Sequence, residues 1–266
     1  MAVVTLKSHK AKIAKRVIEV FEFFGSVKQP ATVMDIARRC GRPQSSTSES
    51  LSSLMEMGVR YKDSVARAFT PTPRLATLGV SAQHEIIRDS RLFNFKDRLA
   101  EKTRKTITLF GIVGKHVQIF RWIPSPNPLA REINCGSSEL LSNSIAGQLL
   151  LSTLPVQQAR GMVWRLNAEA DKEHKFDHSE LVKSVENFRP VGHATGDSSF
   201  IPGVKMSAVV LPQDMEDHPL GLSILYSEEN MHETNVLVGT LKHGMNHLFR
   251  SDVNDIDHRT QLARAV

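Results

Sequence analysis

At 266 residues, with 41% apolar and 23% charged side chains, the chain is long enough for two domains with their own cores, and its composition excludes fibrous, disordered and disulfide-stapled classes. Its net charge of +6 is unevenly placed: residues 1–80 hold 13 Lys and Arg against 6 Asp and Glu, while the remainder holds 21 against 22. A basic excess confined to one segment predicts a phosphate-backbone partner for that segment. No run reaches the length of a membrane span and the N-terminus lacks the apolar stretch of a signal peptide, so the expectation is a cytoplasmic protein without a membrane partner.

Taken in order, residues 11–24 repeat apolar side chains at Ile13, Val17, Val20, Phe21 and Phe24, which predicts an amphipathic helix with a wide buried stripe. Residues 32–58 then read as two short helices joined by a tight break. Thr32 is a cap, Val33, Ile36, Ala37 and Cys40 share a face opposite Arg38 and Arg39, and Gly41 suits a left-handed helix end. Pro43 suits the first turn of a second helix, with Leu51, Leu54 and Met55 as its apolar seam and Gln44, Ser45, Ser46 and Ser48 in its N-terminal turn. Short polar side chains at the exposed start of a helix backed by a partner fit the major groove. Residues 59–71, with Arg60, Lys62 and Arg67, predict a hairpin turning at Asp63 and Ser64, which completes a winged helix.

Pro71 and Pro73 mark a boundary, after which Leu75 to Lys105 predicts a connecting helix, interrupted near Ser90, with apolar positions at Ile86, Ile87, Leu92, Phe93 and Leu99. From Thr106 the period becomes that of strands, with a hairpin at Gly114 and Lys115. Helices are expected over Glu139 to Thr153, Val156 to Leu166 and His178 to Phe188, and two strands from Val204 and Pro219 flank a polar loop of Gln213 to His218. A last helix, Glu233 to Phe249, carries Val236, Leu237, Leu241, Met245 and Leu248 on one side. This order predicts an α+β chain whose second domain is an antiparallel sheet covered by helices.

With those elements placed, the segments DIARRCGRPQSSTSESLSSLMEMG, PRLATLG, LAEKTRKTITLFGIVGKHVQIFRWIPS, SNSIAGQLLLSTL, PGVKMSAVVLP and GLSILYS resemble, in order and spacing, those of the IclR family of bacterial transcription regulators. The resemblance spans about Ala11 to Arg250. It implies a winged helix-turn-helix DNA-binding domain (1–74), a connecting helix region (75–105) and a GAF-like effector-binding domain (106–266). It further implies a dimer or dimer of dimers on a palindromic double-stranded operator, responding to a small-molecule effector, with no cofactor and no enzymatic activity.

The expected DNA-binding residues are Arg38, Arg39, Arg42, Gln44, Ser45, Ser46, Ser48, Lys62 and Arg67. Gln44 stands where the family usually has Lys, and Glu49 where a basic residue is common. A carboxylate repels phosphates, so Glu49 either faces cytosine amino groups or the helix sits differently. In the sensor the resemblance implies effector contacts from Ile145, Ala146, Asp197, Met206, Ser223 and Leu225. Met206 stands where many members have Cys, Gly196 and Asp197 where an acidic pair is common, and Ser223 and Leu225 where two serines hold small carboxylates. Each charged hydrogen bond missing to a carboxylate ligand loses roughly 1.5 to 3 kcal/mol, which points to a larger, less polar effector, aromatic or acyl.

The alternatives are an effector-independent regulator with a collapsed pocket, a winged-helix adaptor that binds protein, and an enzyme built on the C-terminal domain. The +7 of residues 1–80 separates the first from the adaptor. No GxxxxGK[ST], GxGxxG or GxSxG motif supports an enzyme. His174 with His178 and His243 with His247 are four apart and would share a helix face, but neither pair encloses the Glu of a metalloprotease motif. Cys40 and Cys135 fall in different predicted domains without a second ligand at metal spacing, which predicts reduced thiols.

Overall fold

A computed structural model describes residues 9–27, 29–63, 66–81, 90–125, 133, 135–212 and 219–263 of the chain. The described residues fall into two compact units, divided between Ser81 and Ser90. Among them no helix is long and apolar enough to cross a membrane. The stretch 75–105 is thus shared between the two units, while Ile86, Ile87, Ser64 and the loop Gln213 to His218 lie outside the described residues.

The first unit runs α1 (His9–Val27), β1 (Ala31–Thr32), α2 (Val33–Arg39), α3 (Gln44–Glu56), β2 (Arg60–Lys62), β3 (Ala68–Pro71) and α4 (Pro73–Ser81), with the three strands ordered β1-β3-β2, all antiparallel. Val20, Phe23, Phe24, Ile36, Leu51, Leu54, Val59 and Phe69 form its core. Phe23 supplies what Ile13, 47% exposed, was expected to give: a residue at the start of α1 lies beyond the reach of α2 and α3. On α3 the buried positions are Thr47, Leu51 and Leu54, spaced four and three apart, whereas Met55, one step round the helix, is exposed. Pro43 sits one residue before the helix with extended backbone, as its N-cap.

Thr32 ends β1 and caps α2. Its Oγ1 accepts from the Asp35 backbone N–H at 3.3 Å while the Asp35 carboxylate accepts from the Thr32 N–H at 3.0 Å, a reciprocal box that satisfies two orphan donors. The Thr32 hydroxyl also donates to the Asp35 carboxylate at 2.7 Å, and this bond, then the one from the Thr32 backbone N–H, holds the Asp35 carboxyl below the usual range. Gly41, at φ +61°, then turns the chain in the left-handed conformation that lets α3 cross α2. Arg60, 2% exposed, is a packing residue: its guanidinium lies 3.8 Å from the Phe24 ring centroid and donates to the Val20 carbonyl at 3.2 Å.

The second unit opens with α5 (Ser90–Thr103), followed by β4 (Thr106–Val113), β5 (His116–Ile123), β6 (Ser138–Leu140), α6 (Ile145–Leu151), α7 (Val156–Glu169), α8 (His178–Phe188), β7 (His193–Asp197), β8 (Val204–Val210), β9 (Leu220–Ser227) and α9 (Thr234–Ala263). The described strands form one antiparallel sheet ordered β6-β5-β4-β9-β8-β7. Helices α6 to α8 cover the face carrying Phe110, Met206, Ala208 and Leu225, and α5 and α9 lie against the sheet's other face. Sheet and helix cover match the expectation, with two corrections. Ser138–Leu140 pairs with β5 as an edge strand, so the helix expected from Glu139 begins only at Ile145; and His193–Asp197, unpredicted because Gly196 and polar residues blur its alternation, is a strand through pairing with β8. On α9, Val236 is 68% exposed rather than part of the buried face.

One packing feature of α5 carries a testable cost. Lys96 is 1% exposed, its Nζ has no hydrogen-bond partner among the described residues, and it lies 4.3 Å from the Phe93 ring centroid, whose ring also meets Arg121 at 4.6 Å. Burial, then the Arg121 charge, pushes its amine down to about 8. Between that pH and about 10.5 the unfolded chain binds the extra proton, so stability rises with pH through this window and the full penalty stands below it. Lys96→Met is expected to stabilise the second unit by about 1 to 3 kcal/mol at pH 7 and to flatten that rise, read by urea melts at pH 7 and pH 10.

Candidate nucleic-acid interface and sensor site

Helix α3 carries no Lys or Arg, and its hydroxyls divide into two sets. Ser46 and Thr47 donate to the Pro43 carbonyl at 3.2 and 3.0 Å, Ser50 to Ser46 at 2.9 Å and Ser53 to Glu49 at 3.1 Å. Gln44, Ser45, Ser48, Glu49 and Ser52 are exposed and make no such bond among the described residues. Ser45, Ser48 and Ser52 lie three and four apart, with Glu49 between the last two on the same face, so one outward stripe offers hydroxyl, amide and carboxylate groups. Ser46, expected in that set, is half-buried and turned toward α1, where with Arg16, Glu19 and Arg42 it lines a narrow crevice.

The cations around the stripe differ in freedom. Arg38 and Arg39, in the last turn of α2, are exposed and make no ion pair among the described residues. Arg42 is held: its Nε and Nη2 donate to the Glu19 carboxylate at 3.2 and 2.9 Å, fixing the α2–α3 turn to α1. Spacing within the helix pair gives no sign of Glu19, 23 residues upstream, so this bond lay beyond local pattern. Lys62 and Arg67 are exposed at the two ends of the wing, Lys62 with Nζ 6.0 Å from the Phe69 ring centroid and Arg67 at φ +49°.

In the second unit, Ala146, Met206 and Leu225 are in the core between the sheet and α6, with Ile145 packed at its border. Met206 faces Leu225 across the β8–β9 ladder, and Ile145 Cδ1 lies against Gly196, so the start of α6 meets the end of β7. Ser223, on the same sheet face, has its hydroxyl satisfied by Thr108 at 2.6 Å. Asp197 stands apart: its side chain is 82% exposed and accepts from Lys205 at 2.6 Å. Where α6 and β7 meet, sequence reasoning missed the unsatisfied groups. Among the described residues the hydroxyls of Ser144 and Ser198, both buried, and of Ser199 have no hydrogen-bond partner. Only burial reveals them, since serine spacing carries no such signal. Among the described residues no group of three His, Cys, Asp or Glu is gathered to hold a metal.

Residues 14–63 match the IclR helix-turn-helix domain. No curated protein sequence matches the chain. Solved structures do. An IclR transcriptional regulator from Alicyclobacillus acidocaldarius is 19% identical, covering 90% of this chain and 97% of its own, with a TM-score of 0.59. The Thermotoga maritima IclR is 15% identical over 91% and 98% of the two chains, at 0.62. An IclR homolog from Microbacterium hydrocarbonoxydans, complexed with 4-hydroxybenzoate, is 16% identical over 88% and 95%, at 0.61. At these identities the likeness establishes the fold.

Proposed function

We propose, on the premise that this chain is a DNA-binding transcription regulator of the IclR type, that it reads a palindromic operator with the outward stripe of α3 and answers to a small hydrophobic effector held in the second unit. The observation that carries the DNA role is that stripe: Gln44, Ser45, Ser48, Glu49 and Ser52 are free of internal bonds in a segment that matches a helix-turn-helix domain. Arg38, Arg39, Lys62 and Arg67 supply phosphate contacts. Acting as a dimer or dimer of dimers, the protein presents two reading helices to successive major grooves about 34 Å apart. A shift in their spacing on effector binding costs one half-site, and a coupling of about 1 to 3 kcal/mol makes a useful switch.

The effector's polar group bonds the orphan hydroxyls of Ser144 and Ser198, and its apolar body lies against Ile145, Met206 and Leu225. The 4-hydroxybenzoate bound by the Microbacterium hydrocarbonoxydans homolog supports the aromatic class. An effector-independent regulator is the second reading, favoured by the satisfied Thr108–Ser223 pair and the tight core around Ala146. The test is binding of the purified protein to a fluorescent duplex from its own upstream region and to a scrambled duplex, across a salt series. Tight, salt-steep preference for the native sequence is expected. Equal weak binding to both, persisting across other genomic fragments, sinks the regulator proposal. Effector candidates are then scored by release of that complex and by its loss in Ser144→Val.

A further inference from the structure

The second unit carries another opening, away from the sheet face that holds Ala146, Met206 and Ser223. Between α5 and α9 runs a cleft of about 640 Å³. Phe95, Leu99 and Leu248 give it apolar walls, and the exposed Val236 stands on its rim. Its charged and titratable lining is of one kind: Arg98 and Lys102 from α5, His243 and His247 from α9. Among the described lining residues there is no carboxylate; Asp97 and Glu101 line an adjoining depression that shares Arg98, His247 and Leu248 with the cleft.

The floor is a bare stretch of helix backbone. Gly239 lies inside α9, where glycine weakens a helix relative to alanine, and a Cβ added there would meet nothing within 4 Å. Five residues on, the Phe95 ring rests directly on Gly244, where an added Cβ would fall 2.2 Å from it. That contact closes one end of the space that Gly239 leaves open.

An apolar trough bordered by cations fits a ligand with an anionic head and a greasy body. We propose that the α5–α9 cleft is a second ligand site, taking a soluble hydrophobic monocarboxylate whose chain or ring lies over Gly239 and whose carboxylate meets Arg98 and Lys102. A second copy of the chain fits less well. An isologous contact through the cleft lining itself sets cations against cations, the nearest carboxylates, Asp97 and Glu101, lying in the adjoining depression. Because α5 opens the second unit immediately after the boundary between units, an occupant bridging α5 and α9 would act on the segment through which the two are joined.

The test uses the full-length chain and does not require DNA, so its failure is distinct from failure of the operator proposal. Sodium decanoate is titrated calorimetrically, with 1-decanol as the uncharged control. Gly239→Leu fills the cleft at a position with room for a side chain, and its folding is checked by the tryptophan-fluorescence melt. It is expected to weaken decanoate binding at least tenfold while leaving the melt at or above wild type. Arg98→Ala with Lys102→Ala is expected to weaken decanoate at least tenfold and decanol less than threefold. Absence of decanoate binding, or binding that both variants keep, overturns the proposal. So does sedimentation showing that Gly239→Leu turns a dimer into monomers, which would make a second copy the occupant.

Discussion

Gly147→Val is expected to unfold the second unit at temperatures where the wild-type chain is stable, and Gly147→Ala to destabilise it by about 3 kcal/mol or more. Gly147 is the third residue of α6, and a Cβ there would fall 2.6 Å from both the Cα and the carbonyl oxygen of Leu141. Those atoms belong to the backbone between β6 and α6, and Leu141 is itself fully buried, so neither side gives way without moving the helix off the sheet. Forcing extra methylenes into a packed site typically costs about 1 to 3 kcal/mol even where side chains do the yielding. Here the helix that yields also carries Ile145 and Ala146, so the proposed effector site is lost with the fold. Both tryptophans, Trp122 and Trp164, lie in this unit, so urea melts by tryptophan fluorescence report on it alone. Gly161→Ala, in α7 with nothing within 4 Å of the added Cβ, is the control, expected to gain up to about 1 kcal/mol from helix propensity. Similar melts for Gly147→Ala and Gly161→Ala would show that α6 does not approach Leu141 as described.

Replacing Arg38 and Arg39 together by Ala is expected to weaken operator binding roughly 100-fold for each half-site engaged at physiological salt, taking about 1.5 kcal/mol for each charged hydrogen bond lost. The slope of log affinity against log salt should fall by about 2 for each half-site, and so by about 4 for a dimer on its palindrome, because each neutralised phosphate contributes about 0.9. The effect should be nearly the same on any sequence, since phosphate contacts position the protein without reading bases. Stability should hardly change, as both side chains are exposed and make no ion pair among the described residues. Arg42→Ala should behave in the opposite way. It breaks the pair with Glu19 that ties the α2–α3 turn to α1, so the first unit melts earlier while the salt slope stays near wild type. A lowered slope in Arg42→Ala with none in the double variant would exchange the roles given to these arginines.

Much of the first unit was legible because its punctuation is chemical. The Thr32 cap, the left-handed Gly41 and the fixed φ of Pro43 each specify a backbone conformation that few other residues take, and the two helices fall where those residues put them. The hairpin signal at Gly114 and Lys115 worked for the same reason. What escaped depended on partners distant in sequence. Met55 is apolar enough to extend a seam, yet the 3.6-residue period hands the third buried place to Thr47, whose hydroxyl is satisfied locally by Pro43. His193–Asp197 has no strand-like alternation and exists as a strand because β8 offers it a ladder. Ser46 and Arg42 look like their neighbours until α1 is brought beside them. In the sensor, the resemblance marked a face rather than a set of contacts. Ala146, Met206 and Leu225 gather in one core, Ser223 is satisfied by Thr108, Asp197 lies in solvent, and the unsatisfied hydroxyls belong to serines no motif singled out.

On the proposed reading, the outward stripe of α3 reads bases, with Glu49 among the readers. A carboxylate amid phosphates is repelled unless it accepts from a base amino group, and in the major groove that donor belongs to cytosine N4 or adenine N6, with cytosine the usual partner for Glu. Selection of binding sites from randomised duplexes by the wild-type protein and by Glu49→Ala tests it most directly. The prediction is a palindromic motif for the wild type, with a C·G pair in each half-site whose preference disappears in Glu49→Ala while the other positions persist. Identical motifs from the two proteins, or no enriched motif from the wild type, would contradict it.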